Sequence, residues 1–145
     1  MSRDFDRSRT LEELEDSYWG PAPSPTTSLV RAVHELRQRP IDSLDPTELA
    51  RLIGQEIGLP WVLPPALELL LETAPHESQG GWYDEDLLYA VLSVRSDFWH
   101  SHPELADLLK ETVSILKLPQ GNESELTADN VALMEYFLNS YFDRS

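Results

Sequence analysis

Apolar side chains recurring three and four residues apart constrain this chain more than any other feature. Leu49, Leu52, Ile53 and Ile57 form one continuous helical face, at offsets of 3, 4 and 8 residues from the first. The pattern returns in Leu29, Val33 and Leu36, and again in Leu87, Leu88, Val91 and Leu92. It recurs in Leu105, Leu108, Leu109, Val113 and Leu116, and last in Val131, Met134, Phe137, Leu138 and Tyr141. No stretch alternates apolar and polar residues well enough to be read as a strand. At 145 residues, 41% of them apolar, the chain has the size and content of one domain with a modest core. The expected fold is all-α, a compact single-domain bundle of about six helices.

Punctuation places the helices. Thr10 followed by Glu13 is a capping-box pattern ahead of a short turn, Leu11 to Asp16. Residues 1–9 are expected to be flexible, and "GPAPSPTTS" (20–28) reads as a surface linker. Thr27 or Ser28 caps a helix that runs to about Arg39 and ends at Pro40. "DPTE" (45–48) starts the next helix, with Asp45 as N-cap, Pro46 at the first position and Glu48 at the third. Gly58 is expected as its left-handed stop, with Pro60 forbidding continuation and Pro64 or Pro65 opening a helix that lasts to Pro75. "HESQGGWYD" is a loop, and Asp84 starts another helix. Ser101 is expected to cap the helix that follows, with Pro103 and Glu104 behind it. "LPQGNESEL" (118–126) is a further loop, and Thr127 opens an additional C-terminal helix over 127–142.

Charge narrows the partners. The net charge is −15; residues 1–51 hold 10 acidic against 7 basic side chains, and residues 52–145 hold 16 against 4. Such a surface repels phosphates and anionic membranes and attracts basic partners, so direct nucleic-acid or membrane binding is not expected. With no cysteine, disulfides, thiolate metal sites and cysteine nucleophiles are excluded. The N-terminus lacks the apolar core of a secretory signal, and the apolar run from Ile57 to Leu71 is broken by Pro60, Pro64, Pro65 and Glu68. A cytoplasmic location is expected.

No catalytic, cofactor or metal site assembles. Gly54 and Gly58 follow a helical stripe and are flanked by Gln55, Glu56 and Ile57, without the lysine and hydroxyl of a phosphate loop. Ala50 and Gly54, four apart, instead leave a smooth strip where another helix or loop can come close. His100 and His102 are the one close histidine pair, but two residues apart at a helix start they point in different directions. His34 reads as a satisfied, partly buried residue. Carboxylates are too many for one pair to stand out as acid and base, and G-x-S-x-G is absent. All four tryptophans lie beside turns or prolines, where most serve as wedges between helices and one or two as interface anchors. Asp84, Glu85 and Asp86, with Trp82 and Tyr83, are the expected partner-binding residues, and their carboxylates suit a helix N-terminus.

Several strings resemble one family. "LEELEDSYWG", "VHELRQRPIDSLDPTELARLIGQEIGLPWVLPPALELL" and "GGWYDEDLLYAVLSV…DFW" are similar to the small immunity proteins of bacterial contact-dependent growth inhibition (CDI) systems. The family pattern runs L-E-x-L-E…W-G, then L-R-x-x-P-L, D-L-R-x-L-I-G-Q-x-I-G-L, L-x-P-x-A-L-E and G-D-x-Y-x-x-D-L-L. It is met in order over about residues 10 to 110, with Gly81 where an acid is usual and Pro65 where an aliphatic is common. The resemblance implies a cytosolic protein without catalytic activity that binds a cognate C-terminal toxin domain and blocks it sterically. A basic toxin, such as a nuclease, suits the acidic surface. The other reading of the residues is a helical adaptor or regulatory module.

Overall fold

The computed structural model describes residues 5–18, 27–78, 85–116 and 128–141. Within them the chain is all-α and contains no strand. Its helices are α1 (Leu11–Glu15), α2 (Ser28–Leu36), α3 (Pro46–Gly54), α4 (Leu59–Ser78), α5 (Glu85–Leu92), α6 (Ser96–Ser101), α7 (Pro103–Leu116) and α8 (Ala128–Tyr141). A single 3-10 turn, Ile41–Ser43, links α2 to α3. Eight α-helices thus stand where about six were expected. The short Leu11–Asp16 turn is a helix in its own right, and α6 carries too few residues to show a periodicity.

Both capping boxes read from the sequence form as the residue types dictate. The Thr10 hydroxyl accepts from the Glu13 N–H at 3.1 Å, and the Glu13 carboxylate accepts from the Thr10 N–H at 2.9 Å. Asp45 and Glu48 do the same for α3, at 2.8 and 2.9 Å. The Asp45 N–H, helped by Arg39, holds the Glu48 carboxyl below its ordinary value. Thr27 rather than Ser28 caps α2, accepting from the Val30 N–H at 3.2 Å. Ser101 does not cap α7: it ends α6, and the carbonyl of His102 accepts the first bond, from the Leu105 N–H at 3.0 Å.

The stretch between α3 and α4 departs from expectation. α3 stops at Gly54, and Glu56 takes the left-handed conformation (φ 59°). The Glu56 N–H bonds the Ile53 carbonyl at 3.0 Å and the Ile57 N–H bonds the Leu52 carbonyl at 2.9 Å, which closes the helix end. Gly58 is also left-handed (φ 62°), but it begins α4, accepting from the Trp61 and Val62 N–H groups at 2.9 Å each. Pro60 therefore lies in the first turn, where no donor is needed, while Pro64, Pro65 and Pro75 lie inside a helix of 20 residues. Burial decides this outcome. Interior prolines cost about 3 kcal/mol each, whereas each fully buried large aliphatic side chain contributes about 1.5–3 kcal/mol. Val62, Leu63, Leu67 and Leu70 are all fully buried.

α4 is the central element, packed along α7 and against α3 and α5; α5 and α6 in turn pack on α8. Trp99 of α6 is 1% exposed and meets Phe137 of α8 edge-on at 5.8 Å, a wedge of the expected kind. Trp61 packs half-buried against the core. The N-terminal segment is tied across the α2 exit: Thr10 bridges Pro40, and the Arg9 and Arg7 carbonyls accept from the Ile41 and Asp42 N–H groups at 3.0 and 2.9 Å. Trp19, Trp82, Thr127 and the segments 19–26, 79–84 and 117–127 lie outside the described residues.

Candidate functional site

Two helix faces of identical spacing meet in one groove. Thr47, Ala50, Arg51 and Gly54 recur along α3, and Asp86, Tyr89 and Ala90 along α5 with Ser93 just past its end. Offsets of 3, 4 and 7 residues put each set on a single face. With Gln55 at one end they line a groove of about 490 Å³. The Ala50–Gly54 strip expected from the sequence is its floor. A Cβ added at Gly54 would meet no heavy atom within 4 Å, so α5 lies alongside α3 without covering it there.

Of the expected partner-binding residues, Asp86 is exposed and lines this groove. Glu85 opens α5, while Trp82, Tyr83 and Asp84 lie outside the described residues. The structure adds Arg51, Gln55 and Tyr89, which the sequence reading did not single out. Tyr89 was legible: it falls off the buried set Leu87, Leu88, Val91 and Leu92, and it is 52% exposed.

A second hollow, of about 160 Å³, is lined by Leu29, Val30, Val33, His34, Gln55 and Ile57. His34 is half-buried there, as expected. Leu29 is a correction: its spacing put it on the buried stripe, but α2 buries only Val33 and Leu36, and Leu29 is 42% exposed. Among the described residues no three His, Asp or Glu side chains are grouped to hold a metal ion. His102 instead stacks on the Phe98 ring at 4.0 Å, with its Nδ1 3.0 Å from the Phe98 carbonyl oxygen.

The strings that carry the family resemblance converge in space. Arg37, the arginine of L-R-x-x-P, is fully buried at the α2 exit. Its guanidinium donates to Glu15 at 2.6 Å and to the Ser17 carbonyl at 3.0 Å, and it lies 3.6 Å from Glu12. Both acids belong to L-E-x-L-E, and the Arg37 carbonyl accepts from the Glu12 N–H at 3.1 Å. Leu11 of the same string covers Gly58 of the central string so closely that a Cβ there would lie 2.5 Å from its Cδ2. The groove joins Gly54 and Gln55 of the central string to Asp86 of D-L-L.

Comparison with known proteins finds one family. The family of CDI immunity proteins matches residues 13–109, about two thirds of the chain. No curated protein and no solved structure matches it. The matched span contains Arg37, its partner Glu15 and the whole groove, and the chain belongs to the CDI immunity protein family.

Proposed function

We propose that this chain acts in the cytosol, where it binds its cognate CDI toxin domain and neutralises it by steric blocking, without chemistry of its own. The family match across residues 13–109 carries the reading. The net charge of −15 supports a basic toxin domain, and nucleases, which must bind phosphate, are commonly basic. Opposite charge speeds encounter, and protection requires capture before damage. Trp82, Tyr83, Asp84, Glu85 and Asp86 are assigned to the partner-facing surface. Among the described residues no helix is long and apolar enough to cross a membrane, which agrees with action on a toxin already inside the cell. The test is co-expression with the cognate CDI toxin domain. Growth is expected to be restored in cells that make both proteins, and continued arrest in the presence of folded protein contradicts the reading.

A further inference from the structure

We infer that the toxin is held by a surface band that runs from the start of α2, across Gln55, to the outer face of α5, while the neighbouring acidic cluster sets the speed of encounter. This inference rests on the immunity reading above. Gln55 lines both hollows, so the two adjoin. Of the large apolar side chains exposed among the described residues, Leu29, Val30 and Tyr89 all lie on this band. Apolar and aromatic side chains gathered at a concave surface are the usual core of a protein interface.

Gly54 gives a second, independent reason. It closes α3, and neither a left-handed φ nor a packing neighbour requires glycine there. The missing side chain leaves the groove floor open to a close approach. Polar groups frame the floor: Arg51 and Gln55 lie on it exposed, and Asp86 offers a carboxylate at the α5 end. The occupant that fits is a basic toxin domain, placing an aliphatic or aromatic side chain over Leu29 and Val30 and a lysine or arginine against Asp86. The band then governs dissociation and the charge governs association.

The test measures association and dissociation rates with the purified cognate CDI toxin domain, and a melting temperature for every variant. Leu29→Asp, Gly54→Leu and Tyr89→Ala are each expected to dissociate at least about tenfold faster, with melting not lowered. Leu29→Asp is informative because a carboxylate at the second position of α2 suits the helix dipole. It also adds charge that a basic toxin attracts, so a faster loss there reports a missing apolar contact. Asp86→Lys is expected to slow association. Tyr136→Ala, exposed on α8 and lining neither hollow, is expected to change neither rate. If one variant unfolds, the other two decide. Wild-type dissociation in the folded band variants, or equal damage from Tyr136→Ala, overturns the band and leaves the immunity reading standing. Failure of the wild-type chain to bind overturns both.

Discussion

Gly54 and Gly58 stand four residues apart in one motif and have opposite physical roles. Gly58 combines a left-handed φ of 62° with contact from Leu11, where a Cβ would fall 2.5 Å from Cδ2. Gly58→Ala should therefore lower stability by about 3 kcal/mol, through left-handed strain of about 1–2 kcal/mol and displacement of Leu11. Gly54→Ala should raise it by about 0.5–1 kcal/mol, since nothing opposes the methyl group. Denaturant unfolding of both variants checks the pair, and equal effects would contradict the assignment. Arg37 is the other decisive residue. Arg37→Met leaves the carboxylates of Glu12 and Glu15 without their buried cation and should cost about 3 kcal/mol in the same assay. Pattern alone did not give that role, because arginine is mostly a surface residue and its burial depends on where α1 lies across the α2 exit.

At the scale of elements, the capping boxes were legible and the exits were not. Thr10–Glu13 and Asp45–Glu48 are local chemistry, closed within three residues, so sequence suffices to place them. The α3 exit required knowing what α4 buries. Glu56, not a glycine, takes the left-handed position, and its contact to Arg95 at 3.1 Å is an exposed pair of little worth. Glu56→Gly should therefore stabilise the protein by about 0.5–1 kcal/mol, measured by chemical unfolding, by removing strain of about 1–2 kcal/mol at a modest entropic cost. The prolines of α4 were read as boundaries, yet burial of its aliphatic face carries the helix through three of them. Glu48 links an element to pH. Its folded carboxyl titrates below its ordinary value, chiefly because it accepts from the Asp45 N–H. Its contribution is present above the unfolded value of 4.5 and is lost as pH falls through the lower folded value. Glu48→Gln can keep the capping bond without titrating, so its melting temperature should fall less than the wild type's between pH 5 and pH 3. Parallel acid profiles would contradict this.

At the scale of the whole molecule, helical class followed from periodicity, whereas the surface depended on how helices cover one another. The Ala50–Gly54 strip and Asp86 were both visible in the sequence, but their meeting in one groove depends on α3 and α5 running side by side. Leu29 shows the converse: its spacing is that of a core residue, yet the fold buries Val33 and Leu36 of its stripe and leaves it exposed. Charge is a property of this scale too. A chain of net −15 capturing a basic domain should associate more slowly as salt rises, because screening weakens steering over distances of about 8–10 Å near physiological ionic strength. If this chain captures its cognate CDI toxin domain as proposed, a calorimetric titration of the two purified proteins reads it out. The account predicts saturable binding with a Kd of about 1 nM or tighter, or roughly −12 kcal/mol. No binding, or a Kd in the micromolar range, would contradict it.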